Sequence, residues 1–170
     1  KDKMRLLITG GAGFIGTKII KRVMGENEVI VLDNFLEQIH GVSPKLIKHQ
    51  NVKYIKGDVR NSEDWDKCLL ENPDVLIHLA SETGTGQSMD EISRYVGTNV
   101  SGTAVMLDKI NKEECTIKKL ILSSSRAVYG ESENIESNFI LKPLSVYGVT
   151  KLTQEQLLLS GCKKPYTILR

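Results

Sequence analysis

The sequence predicts a doubly wound α/β domain with a parallel sheet, on two observations. Short β-branched runs alternate with longer segments of helical spacing along all 170 residues, and the first run leads straight into a glycine cluster that opens a helix. An apolar fraction of 40% and a charged fraction of 26% are enough for one well-packed core, so residues 1–170 read as a single domain.

Arg5–Thr9 is expected as the first strand, apolar through Leu6, Leu7 and Ile8. Phe14–Met24 follows as a helix, with Ile15, Ile19, Ile20 and Val23 on one face. Glu28–Leu32 and Val52–Lys56 read as the second and third strands. The polar stretch Asp33–Asn51 between them reads as a loop, with a short helix near Pro44–His49. Ser62 is expected to cap a helix through Leu70, with Glu63 and Asp64 at its positive end. Asp74–Leu79 is a fourth strand, apolar without alternation as a doubly covered strand should be. Asp90–Asn111 reads as mostly one long helix, Lys119–Ser124 as the fifth strand, Ser145–Leu159 as a helix and Tyr166–Leu169 as the sixth strand. At least six strands with helices on both faces make a Rossmann-type fold, whose ligands sit at the carboxyl ends of the strands.

Composition excludes several classes of function. Net charge is +2, with acidic and basic residues interleaved, so the basic stripe of a nucleic-acid binder is missing. No apolar run approaches the roughly 20 residues of a membrane helix. Cys68, Cys115 and Cys162 lie far apart, without the paired spacing of a metal site, and read as reduced thiols of a cytoplasmic protein. Met4, just before the first apolar run, reads as a candidate start. More sequence is expected beyond Arg170, because a chain seldom stops directly after a strand.

The first strand runs into Thr9-Gly10-Gly11-Ala12-Gly13-Phe14-Ile15-Gly16. Glycine allows the tight turn, clears the side chain where backbone must touch a pyrophosphate, and lets helix and strand pack closely. The helix start then offers unpaired N–H groups and a positive dipole end to the phosphates. Asp33 ends the second strand, 23 residues after Gly10, where a carboxylate accepts hydrogen bonds from ribose hydroxyls. That carboxylate would repel a 2′-phosphate, and no arginine follows within Asp33–Gln38, so the dinucleotide expected is NAD.

Tyr147 and Lys151 stand four residues apart, on one helix face. An unperturbed tyrosine titrates near 10, and an adjacent ammonium favours its phenolate, making it a usable base. Ser123-Ser124-Ser125 supplies hydroxyls at the end of the fifth strand.

With these motifs in this order, the chain resembles an extended short-chain dehydrogenase/reductase of the NAD-dependent epimerase/dehydratase group. The resemblance is carried by Thr9–Gly16, Asp33-Asn34, Gly57–Arg60, His78–Ala80, Asn99-Val100, Ser123–Ser125, Tyr129-Gly130 and Tyr147–Lys151. It implies that Gly10, Gly13, Phe14, Ile15, Gly16, Asp33, Asn34 and Ser123 belong to the cofactor site. It further implies that Asp58 and Val59 meet the adenine, that Leu79, Ala80 and Ser81 line the cofactor, and that Asn99 supports the loop beside it. By the same resemblance Ser125 is the catalytic hydroxyl, Tyr147 the base, and Lys151 its partner and a ribose ligand. No metal is implied, the substrate is a nucleotide-sugar, and a homodimer through Met89–Lys112 and Leu144–Leu159 is a possibility it raises.

Two departures shape the expectation. Dehydratases of the group tend to carry Asp-Glu after the catalytic hydroxyl, where this chain has Arg126-Ala127, which favours an epimerase. The segments Ser81–Ser88 and Ser124–Ala127 are most similar to sequences of the bacterial dTDP-rhamnose 4-epimerase type. Family members also continue into a smaller domain that grips the sugar, so this chain is expected to hold the chemistry without the recognition, and alone to be inactive. The alternatives are a dehydratase or reductase on the same scaffold, and a non-catalytic NAD-binding module. Among the remaining residues His78 reads as structural, His40 and His49 as solvated, Trp65 as core, and Glu82 faces either substrate or water.

Overall fold

The computed structural model describes residues 2–131 and 141–170. Six strands form one sheet: β1 (Arg5–Thr9), β2 (Glu28–Asp33), β3 (Val52–Lys56), β4 (Val75–His78), β5 (Lys119–Ser123) and β6 (Tyr166–Leu169). Their order is β3-β2-β1-β4-β5-β6, and every neighbouring pair is parallel. The chain leaves β1 toward one edge and returns to β4 on the other side of it. A crevice therefore opens beyond the carboxyl ends of β1 and β4, where this topology binds ligands.

The helices are α1 (Phe14–Val23), α2 (Glu37–His40), α3 (Ser62–Leu69), α4 (Thr85–Asp90), α5 (Ile92–Tyr95), α6 (Gly102–Ile110) and α7 (Val146–Gly161). Both faces of the sheet are covered, which is why the middles of β1 (Leu6, Leu7, Ile8) and β2 (Val29, Ile30, Val31, Leu32) are apolar without alternation. Leu7, Ile30 and Leu32 pack with Trp65 and Cys68 of α3, Met106 and Ile110 of α6 and Leu158 of α7. Ile8, Val29 and Val31 point the other way, onto Ile20 of α1. Trp65 is a core residue, and its indole donates to the Val59 carbonyl at 2.8 Å.

Three local expectations need correction. The short helix lies at Glu37–His40, not near Pro44–His49. Asp33 accepts the Phe35 N–H and Asn34 accepts the Leu36 N–H, and these side-chain turns start a single helical turn immediately after β2. The cap of α3 is Asn61, whose side chain takes the Glu63 N–H, one residue before Ser62. The expected long helix over Asp90–Asn111 starts earlier and is broken. α4 ends at Glu91, which has left the helical backbone at φ −119° and ψ 45°, and a π-helical stretch, Val96–Ser101, separates α5 from α6.

Candidate functional site

At the crevice lies a cavity of about 500 Å³. Its first wall is the glycine turn. Gly10 has φ +65°, its N–H donates to the Leu32 carbonyl at 2.8 Å, and a Cβ there would stand 2.8 Å from the Ala80 backbone. Only glycine fits that approach between β2 and β4. A Cβ on Gly16 would stand 2.5 Å from the Gly11 Cα, so α1 lies directly on the turn. Gly13 is the N-cap of α1, with no side-chain cap and no acidic residue in the first turn. The helix therefore presents an uncompensated positive end, suited to an anion. Gly10, Gly13, Phe14, Ile15 and Gly16 all line the cavity.

Asp33 and Asn34 line the adjoining wall. The Asp33 carboxylate is buried, and it accepts the Ala12 N–H at 3.0 Å and the Phe35 N–H at 2.9 Å. Phe35 adopts φ +53° to make that bond. A carboxylate has about four acceptor directions, so capacity remains for ribose hydroxyls. His40 is not solvated as expected. Its Nε2 lies 3.4 Å from Asp33 Oδ1 with a side chain only 10% exposed, because α2 folds back over the end of β2. His49 is half-buried, and its Nδ1 takes the Asn51 N–H at 3.2 Å.

Asp58 and Val59 face the same cavity. The Arg60 guanidinium grips Asp58 through two bonds of 2.9 and 2.7 Å and holds its carboxyl below the usual carboxylate range. Across the mouth runs a polar chain that the sequence reading missed. Gln38 donates to Gln87, Gln87 to Glu91, and Arg94 to Gln38, Glu82 and Glu91. Glu82, left undecided above, thus lines the cavity and pairs with Arg94 at 2.8 Å. The signal available was Glu91 and Arg94 at helical spacing, but nothing in the sequence placed them opposite Gln38.

Leu79, Ala80 and Ser81 line the cavity beyond β4. The Thr9 hydroxyl accepts the Leu79 and Ala80 N–H groups at 3.2 Å, so its own proton goes to His78 Nδ1 at 2.7 Å. The His78 proton then sits on Nε2. Burial beside Lys151 pulls its pKa down to about 3, so the ring stays neutral and serves structure. Asn99 lies in the π-helical stretch, behind the wall and not among the cavity-lining residues. Its carbonyl oxygen accepts from Ser81 Oγ and the Glu82 N–H, and its amide donates to the Glu82 carbonyl and Thr150. Asn99 thus braces the Ser81–Glu82 segment that lines the cavity.

Tyr147 and Lys151 come from α7, whose N-cap Ser145 accepts the Gly148 N–H. Both line the cavity. The Tyr147 ring meets Tyr95 edge-on, with centroids 6.5 Å apart, and its N–H donates to Ser88 at 3.0 Å. Lys151 is 3% exposed, and burial pulls its pKa down to about 8, against an upward push from Glu155. Ser123 and Ser124 also reach the cavity. Ser125 does not line it; its Oγ caps the short turn Arg126–Val128 by accepting the Ala127 N–H at 3.1 Å. Among the described residues no group of three His, Cys, Asp or Glu could hold a metal ion, and no helix is long and apolar enough to cross a membrane.

The sequence model of the NAD dependent epimerase/dehydratase family matches residues 6–170. A dTDP-L-rhamnose 4-epimerase of Burkholderia thailandensis is 34% identical over 99% of this chain and 57% of its own length. Among solved structures, UDP-glucose 4-epimerase from Brucella ovis in complex with NAD superposes with a TM-score of 0.83 at 27% identity, covering 98% of this chain and 51% of that one. UDP-N-acetylglucosamine 4-epimerase from Methanobrevibacter ruminantium M1, in complex with UDP-N-acetylmuramic acid, gives 0.83 at 29% identity, covering 100% and 55%. The chain spans about half the length of the curated relatives it matches.

Proposed function

The chain belongs to the NAD-dependent epimerase/dehydratase family, and from that premise we propose that it is the NAD-holding, proton-transferring part of a nucleotide-sugar epimerase. The observation that carries the reading is the convergence of Tyr147 and Lys151 on the cavity that the glycine turn and Asp33 also line.

The residues present fit a dinucleotide. The uncapped start of α1 suits the pyrophosphate, Asp33 a ribose, and the Asp58–Val59 wall an adenine. NAD, when bound, supplies the acceptance and return of hydride. The chain's own residues handle the proton. Tyr147 takes it from the sugar hydroxyl and returns it when the configuration has been reversed. Lys151, one turn away on α7, brings its ammonium to the same cavity.

Hydrogen-bond direction separates the serines. Ser124 donates to Glu155, so its proton is committed. Ser125, beside the cavity wall but not lining it, accepts from Ala127, and among the described residues its own proton has no acceptor, so it rather than Ser124 is the hydroxyl able to turn to the reacting oxygen. The turn that follows carries Arg126 and no acid, which supports epimerisation over elimination of water.

The test is a labelled nucleotide-sugar with deuterium on the reacting carbon, incubated with the full-length protein. Retention of the label in the epimer is the expected result. Label replaced by solvent hydrogen would contradict hydride return.

A further inference from the structure

One buried carboxylate has no part in the chemistry above. Glu155 lies on α7 one turn beyond Lys151 and is 1% exposed. Arg170, directly after β6, clamps it with Nη2 at 2.7 Å and Nε at 3.1 and 3.3 Å. The Arg170 guanidinium stacks over the Tyr129 ring at 5.2 Å, and its Nη1 donates to the Tyr129 hydroxyl at 3.3 Å. From the end of β5, the Ser124 hydroxyl donates to Glu155 Oε1, while the Ser124 N–H is held by the Leu169 carbonyl at 2.6 Å. A buried carboxylate needs partners of this kind, and here they tie β5, β6 and α7 together behind the cavity wall.

A simple ion pair between Glu155 and Arg170 would have no reason to reach the cavity. This one does, through Ser124 and through the field it places on Lys151. We propose that Glu155, one helical turn from the buried Lys151 on α7 and tied to Ser124 of the cavity wall, is a positioning residue for the site: its charge acts on the Lys151 ammonium, and Arg170 sets how much of that charge Lys151 feels. What the ammonium does for Tyr147 rests on the function proposed above; the electrostatic coupling within the cluster does not.

The surroundings leave few other sources for the effect. The charged and titratable groups that act on Lys151 or share its wall are Glu155 and Tyr147 on its own helix and His78 on β4; Tyr95 meets Tyr147, and Arg170 reaches Lys151 only through Glu155. His78 is neutral, and burial holds Tyr95 toward its neutral form. Glu155 is the group that pushes the Lys151 pKa up while burial pulls it down.

The test is the titration of Lys151 in the folded protein without cofactor, followed by NMR of lysine labelled at Cε. Glu155→Gln removes the negative charge at nearly constant volume, and the midpoint should fall by about one pH unit. Arg170→Gln frees the Glu155 charge, and the midpoint should rise. Glu155→Asp should return most of the loss seen with Gln. Opposite signs are the signature, since a general loosening of the cluster would hydrate Lys151 and raise its midpoint in every variant. If Glu155→Gln does not fold, Glu155→Asp replaces it, and its midpoint should lie slightly below the parent's, where loosening alone would raise it. Folded variants that titrate like the parent, or shift in the same direction, overturn the proposal. Shifts of opposite sign in a full-length protein without epimerase activity would keep the coupling and reject the proposed function.

Discussion

The N–H of Ala12 donates to the Asp33 carboxylate at 3.0 Å, joining the glycine turn to the residue at the end of β2. The turn proposed to face phosphate and the carboxylate proposed to face ribose are thus one unit, and a change at Asp33 should be felt at both.

Cofactor choice follows from that unit. NAD+ should bind far more tightly than NADP+, because the 2′-phosphate would meet the Asp33 carboxylate. Asp33→Asn should narrow the preference and weaken NAD+ about tenfold or more, as expected for losing charge-assisted hydrogen bonds. Calorimetric titration of both cofactors checks this; equal affinities in the parent protein would remove Asp33 from the role.

Backbone strain gives a paired prediction. Gly10 and Gly41 both have positive φ, but a Cβ on Gly10 would strike Ala80 while one on Gly41 meets open space. Gly41→Ala should cost about 1–3 kcal/mol, the conformational penalty alone at φ 68° and ψ −175°. Gly10→Ala should cost clearly more, measured by urea unfolding. Equal costs would mean that the turn is looser than its geometry.

Much of this site was legible before the structure. Gly10, Asp33, Tyr147 and Lys151 are local signals: a strand running into glycines, an acid at a strand end, a pair at helical spacing. Their convergence follows from the topology that those strands impose. What stayed hidden depends on long-range closure. Arg94 reaches Gln38 across 56 residues, and Glu155 meets Ser124 across 31. His40 was misread because a polar stretch looks solvated until its first residues fold onto β2.

Stability should depend on pH through Lys151 and His78. Lys151 has a folded pKa of about 8, below its unfolded value near 10.4, so the unfolded chain binds more protons in that interval. Stability should therefore rise from about pH 8 to 10, by on the order of 2–3 kcal/mol relative to Lys151→Met. His78 acts on the acid side by the same sign. Its folded pKa of about 3 lies below the unfolded value near 6.5, so stability is lost as pH falls through that window. Unfolding curves of parent and Lys151→Met across pH 7–10 check the first claim; parallel curves would contradict it.

The most direct measurement compares the full-length protein with its Tyr147→Phe variant, NAD present, on a panel of nucleotide-sugars, with epimer formation read by proton NMR. Tyr147→Phe keeps the ring against Tyr95 and removes the oxygen proposed to take the proton. The parent should convert at least one nucleotide-sugar to its epimer. The variant should be slower by at least about 10²-fold, with NAD affinity nearly unchanged. Near-normal epimerisation by the variant, or no epimer from the parent on any nucleotide-sugar, would contradict the account.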